Sequence, residues 1–183
     1  MSCKVLIECG ISSLPVNLNL IVNHYDIGLL RYSQCSFLKQ IDFDLISQDG
    51  FITKINGKKI IFINDKIKTR GRRRFTVGHE LGHCFLGHPL DNILTKTNEI
   101  NPIETQANVF ARDLLAPACV LDALNVNTAR EIMLLCDISM LSAEIRLKRL
   151  KLLRKRGLFL KSYLENQVYN QFKDYIKHIL KTK

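Results

Sequence analysis

His79-Glu80-Leu81-Gly82-His83 places two imidazoles four residues apart, with a carboxylate next to the first. On an α-helix residues four apart share a face, so both imidazoles can reach one cation. Glu80 falls about 100° round the helix from His79, close enough to hold a metal-bound water without displacing it. That combination suits hydrolysis, in which a metal activates the water and the carboxylate takes its proton. On the other side Val77, Leu81, Cys84 and Phe85 follow the spacing of a core-facing stripe, so one helix has both a ligand face and a packing face. With five His and seven Glu in 183 residues, chance gives about 0.005 such motifs per chain. The plain alternative is a helix with two surface histidines and a solvated glutamate.

A catalytic zinc needs a third protein ligand and an open position. His88 is near, but the H-E-x-x-H-x-x-G-x-x-H pattern would put its third His at position 89, which is Pro89, and Gly87 comes one place late. His88 is therefore read as a helix-end or pocket residue. Glu104 is the better third ligand, and Asn108, one turn on, can brace a ligating His from behind. Glu104 also occupies the reach-back position of a capping box begun by Asn101. Beside the His pair the ligand reading prevails, because the zinc otherwise lacks an anionic ligand. One Zn2+ per chain is expected, on His79, His83 and Glu104.

The elements that must position these groups are legible in part. Val16–Tyr25 reads as a helix with Pro15 near its first turn, and Ile27–Tyr32 as a short strand. Phe37–Ile46 is apolar and ambiguous between helix and strand. Asn56-Gly57 between two Ile- and Phe-rich runs marks a hairpin over Phe51–Asn64. A basic run, Lys68–Arg74, leads into a helix over Phe75–Leu86, and Leu90–Ile100 reads as a loop. Asn101 as N-cap and Pro102 at the first position start the next helix, which stops before Pro117. Gly78 and Gly82 on one helix and Ala107 and Ala111 on the other allow a close approach. Thr128–Leu135 and Ser139–Leu153 read as helices around a Cys136-Asp137-Ile138 turn, and a basic amphipathic helix closes the chain near Tyr163–Leu180. The class is α+β, with a small antiparallel sheet.

The chain is 46% hydrophobic, enough for a proper core. Its net charge of +10 lies wholly in the last 39 residues, where twelve Lys and Arg face only Glu165 and Asp174. That excess suits either a solvated helical face or non-specific contact with nucleic acid through residues 145–183. The six cysteines form no C-x-x-C pair and read as reduced thiols. Met1–Gly10, with an acid at Glu8, does not read as a signal peptide, and no segment is long enough to span a membrane. A cytoplasmic location without a membrane partner is expected.

Arg72-x-Arg74-Phe75-Thr76-x-x-His79-Glu80-Leu81-Gly82-His83, followed by Glu104-x-x-Ala107-Asn108-x-Phe110-Ala111-x-x-Leu114-Leu115-x-Pro117, resembles the ImmA/IrrE family of metallo-endopeptidases. The resemblance covers roughly residues 15–150. It implies a thermolysin-like (zincin) catalytic core with His, His and Glu ligands, matched by His79, His83 and Glu104. It also implies intracellular, site-specific cleavage of a helix-turn-helix repressor, in proteins often encoded by mobile elements or stress-response systems. Residues 1–125 then form the catalytic core, and residues 126–183 a helical, helix-turn-helix-like and basic C-terminal region.

In this mechanism Glu80 is the general base, passing the water proton to the leaving amide nitrogen. His88, Arg72 and Arg74 are the candidate donors to the oxyanion, and the sequence does not choose among them. The Lys59–Asn64 strand offers an edge for an extended substrate, or is a plain core strand. The rival reading is a DNA-binding regulator with a structural or vestigial metal site. In it Ser139 caps a recognition helix carrying Arg146, Lys148 and Arg149. Against it, the turn lacks the usual glycine, and Leu141, Ile145 and Leu150 look committed to packing.

Overall fold

The structure is a computed structural model, and residues 1–35, 46–90 and 101–182 are described. The readings of Phe37–Ile46 and Leu90–Ile100 fall almost entirely outside these residues. The chain divides into two compact units, one of residues 18–111 and the other of residues 1–17 with 112–183.

In the first unit, α2 (Leu18–His24) precedes β1 (Gly28–Arg31) and a 3-10 turn over Tyr32–Cys35. This helix begins three residues beyond Pro15, later than expected, and directly after Asn17, a residue type favoured at helix N-caps. Strands β2 (Gly50–Ile55) and β3 (Lys58–Ile63) form the expected hairpin. Asn56 and Gly57 both take positive φ, 49° and 82°, as a type I′ turn requires.

The sheet corrects the expected antiparallel arrangement and decides between the two readings of strand Lys59–Asn64. Its order is β1-β3-β2, with β2 antiparallel and β1 parallel to β3, so it is mixed and not antiparallel. β1 can lie parallel because it reaches β3 through a long connection, whereas a two-residue turn forces β2 to run antiparallel. Strand Lys59–Asn64 is consequently central and offers no edge. The edges among the described residues are β1 and β2. Phe51 stacks on Phe62 with ring centroids 5.0 Å apart, and Tyr32 and Cys35 complete that cluster.

α3 (Arg70–Leu86) starts five residues earlier than expected. Its Arg-rich first turns lack an apolar stripe, but Arg is a good helix former and periodicity is not needed to keep it helical. The helix ends at Gly87, whose φ of 72° is the left-handed conformation of a helix stop. α4 (Pro102–Leu115) starts as expected, the Asn101 side chain accepting from the Ile103 N–H at 3.0 Å.

The second unit joins the two ends of the chain. α1 (Ser2–Glu8) is tied to the C-terminal helices by Gln171, whose amide donates to the carbonyls of Leu6 and Ile11 at 2.8 and 2.6 Å. α5 (Ala118–Ala123) leads to α6 (Ala129–Cys136), which opens with a capping box between Thr128 and Glu131. The turn after α6 uses Asp137 at φ 53° where a glycine is usual, and Ser139 then caps α7 (Met140–Lys155). The final basic helix is interrupted at the fully buried Phe172, giving α8 (Tyr163–Gln171) and α9 (Lys173–Thr182). Backbone bonds from Phe172 to Val168 and from Ile176 to Phe172 bridge the break, which seats the aromatic ring in the core. The six cysteines are free thiols. Burial pushes the Cys119 thiol up to about 12, as expected of a small core residue. No helix among the described residues is long and apolar enough to cross a membrane.

Candidate metal centre

The site rests on α3 and α4. Their approach is set by Gly82, where an added Cβ would lie 3.0 Å from the Ala107 Cα and 3.1 Å from its carbonyl oxygen. Ala107 and Ala111 are fully buried. The small residues on both helices therefore make the close contact that a shared site requires.

Across this contact the donor atoms converge. His79 Nε2 and His83 Nε2 are 2.9 Å apart. Glu104 Oε2 lies 3.1 Å from His79 Nε2, and Oε1 lies 3.5 Å from His83 Nε2. Glu104 thus turns its carboxylate onto the imidazoles, while the Asn101 side chain caps the helix. One ligand atom from each of the three residues lies within 4.8 Å of the others, so the group can hold a metal ion. Zinc bonds of about 2.0–2.1 Å in a tetrahedral site put ligand atoms about 3.3 Å apart. The observed separations bracket that value, so the residues fit the ion.

The outward ring nitrogens are also engaged. His79 Nδ1 lies 2.9 Å from Asn108 Oδ1, the bracing position expected from the sequence. His83 Nδ1 lies 3.1 Å from His88 Nδ1, and His88 Nε2 lies 3.1 Å from Gln106 Oε1. His88 reaches this place because Gly87 turns the chain back, letting both the Gly87 and the His88 amide bond to the His83 carbonyl. Gln106 carried no sequence signal, since an exposed polar residue on a helix is commonplace.

Glu80 is 7% exposed and accepts from the Ile52 N–H at 3.0 Å. Strand β2 thus runs beside α3 with an outward amide at the carboxylate. Gly50 makes that approach possible, because an added Cβ would come within 2.8 Å of Thr76 Cγ2 and 2.6 Å of the Phe62 carbonyl. Of the other candidates, Arg72 pairs with Asp49 at 2.7 Å on the surface, and Arg74 is half-buried on α3.

An α+β unit in which one helix carries H-E-x-x-H, and the next supplies a carboxylate to the same point, defines the class of zincin-like metallopeptidases. The family described as the IrrE N-terminal-like domain, a peptidase family, matches residues 38–148, more than half of the chain. The chain belongs to that family. The search of curated proteins returns no match.

Proposed function

We propose that this protein is a cytoplasmic zinc-dependent endopeptidase that cuts a helix-turn-helix repressor at a single site. The observation that carries the catalytic part is the convergence of His79 Nε2, His83 Nε2 and the Glu104 carboxylate beside the buried Glu80. Two imidazoles and a carboxylate suit zinc. When bound, the ion supplies Lewis acidity for the scissile carbonyl and lowers the pKa of its water. His79, His83 and Glu104 hold it. Glu80 accepts the proton of the attacking water and delivers it to the leaving amide nitrogen, while the Ile52 N–H fixes the carboxylate's orientation. An extended substrate lying along the β2 edge brings its scissile bond to Glu80, with main-chain pairing supplying affinity.

The repressor as substrate rests on the resemblance to the ImmA/IrrE enzymes. In this reading residues 1–125 carry out the cut, and residues 126–183 hold the target on or near DNA through non-specific phosphate contacts. Exposed Lys148, Arg149, Lys151, Lys155 and Arg156 support that role.

The test is a trap. Glu80→Gln, expressed in the native cell, should keep metal and fold, retain its target, and lose cleavage by at least about 100-fold. Proteins recovered with it are identified by mass spectrometry and then incubated with wild-type enzyme. An active Glu80→Gln sinks the mechanism. Capture of ribosomal or chaperone proteins alone, with no discrete cut in any repressor, removes the substrate assignment and leaves the chemistry standing.

A further inference from the structure

We infer that His88, held by Gln106, is a positioning residue that locks the His83 imidazole with its proton on Nδ1 and so presents the Nε2 lone pair to the metal. The inference rests on the metal reading proposed above and extends it to two residues which that reading does not need.

A neutral imidazole carries one N–H, and the partner of one ring nitrogen decides which nitrogen is left as a base. For His79 the rule acts directly. Asn108 Oδ1 can only accept, so Nδ1 carries the N–H and Nε2 the lone pair. At His83 Nδ1 the rule acts less directly. That atom meets another imidazole nitrogen, His88 Nδ1, at 3.1 Å. Two arrangements are available to that pair, and they have opposite consequences. If His88 bears its proton on Nδ1, His83 must accept there. Its own proton then moves to Nε2, where it blocks the metal. If His88 bears its proton on Nε2, its Nδ1 accepts from His83, and His83 Nε2 carries the lone pair.

Gln106 breaks the tie. Its Oε1 lies 3.1 Å from His88 Nε2 and accepts a hydrogen bond from that nitrogen. The chain of donation runs from His83 Nδ1–H to His88 Nδ1 and from His88 Nε2–H to Gln106 Oε1. Every nitrogen in it has the role that metal binding at His83 Nε2 demands. Glu104, Gln106 and Asn108 sit on the first turns of α4, Glu104 turned toward His79 Nε2, Asn108 toward His79 Nδ1 and Gln106 toward His88 Nε2. His88 is delivered by the backbone, since the left-handed Gly87 and the His88 N–H to His83 carbonyl bond of 3.0 Å return it to the side chain it orients. Both ring nitrogens of His88 are thereby used, which removes it from the candidate oxyanion donors.

The experiment reads tautomers and metal affinity together. Long-range proton–nitrogen NMR on histidine-labelled, zinc-loaded protein should show His83 protonated at Nδ1 and His88 protonated at Nε2. Competition with a chelator should then show zinc affinity falling about tenfold in His88→Ala, the usual scale for losing such a partner. His88→Asn should restore most of it, because the Asn carbonyl oxygen takes the place of Nδ1 as a pure acceptor. Gln106→Leu should weaken binding by a smaller factor and broaden or shift the His88 nitrogen signals. Wild-type zinc affinity in His88→Ala, or no recovery in His88→Asn, overturns the inference while the metal site stands. A wild-type protein that takes up no zinc overturns the metal reading, and this one with it.

Discussion

Two helix pairs in this molecule carry conspicuous polar sequence, and they use it in opposite ways. On α3 and α4 the polar side chains converge. His79, His83 and Glu104 meet at one point, and Asn108, His88 and Gln106 stand behind them. On α6 and α7 the cations disperse. Arg146 is 4% exposed and turns inward, donating to the Ala116 carbonyl at 2.6 Å and to Asp113 at 2.7 Å. Arg154 is likewise held by Asp122 and by the Val126 carbonyl. Lys148 and Arg149 face outward. Charge on a helix is not a site until something brings it to a point. Here Gly82 against Ala107 provides that convergence for one pair, while in the other the buried arginine works as packing. Of the three cations that the DNA-binding reading placed on α7, Arg146 alone is buried. The exposed face of α7 also carries Leu141 and Ile145, 68% and 39% exposed, against the expectation that they would pack, while Leu150 is buried as expected.

The contrast can be broken at the metal first. Glu104→Ala should cost at least about 100-fold in zinc affinity, measured by chelator competition, because it removes the anionic ligand. Full retention would return Glu104 to a capping role. A smaller effect comes from the other pair. Arg146→Ala strands the buried Ala116 carbonyl and should lower stability by about 2 kcal/mol in denaturant titration, whereas Lys148→Ala with Arg149→Ala should stay within about 0.5 kcal/mol. Equal effects would erase the distinction between inward and outward cations. The helix contact is subtler. Gly82→Ala gains about 1 kcal/mol of helix propensity but overpacks a backbone at a cost of about 1–3 kcal/mol. A modest net loss of stability, with zinc affinity falling alongside it, would show that the helix approach sets the site. Unchanged affinity would separate the two.

The smallest effect concerns pH. Cys119 titrates at about 12 in the folded protein against 9.0 for a free thiol, raised chiefly by burial. The folded state therefore keeps a proton that the unfolded state loses. The stability from this group is intact below pH 9.0 and is lost as pH rises through that window toward about 12. Comparing wild type with Cys119→Ala between pH 8 and 10 isolates the slope, and identical slopes would mean another group dominates.

Much of this arrangement was written in short stretches of sequence. The i, i+4 spacing of His79 and His83, the Asn56-Gly57 turn, the Asn101-Pro102 helix start and the Thr128 capping box are each decided within a few residues. Steric limits on φ and the reach of one side chain act at that range, so residue types and spacing suffice. Glu104 and Asn108 were legible too, but only because their helix periodicity matched a need created by the His pair. What tertiary structure alone decided lies between segments. The parallel pairing of β1 put Lys59–Asn64 in the middle of the sheet. The Ile52 amide reached Glu80 from 28 residues away. Arg146 turned inward to Asp113, 33 residues distant, and Gln106 came to stand over His88. Sequence could not predict these, because nothing local distinguishes an exposed glutamine from one that fixes a proton, or an arginine in the core from one in solvent. Only the packing of whole elements brings their partners within 3 Å, and hydrogen bonds fall off too steeply with distance and angle for any weaker juxtaposition to serve.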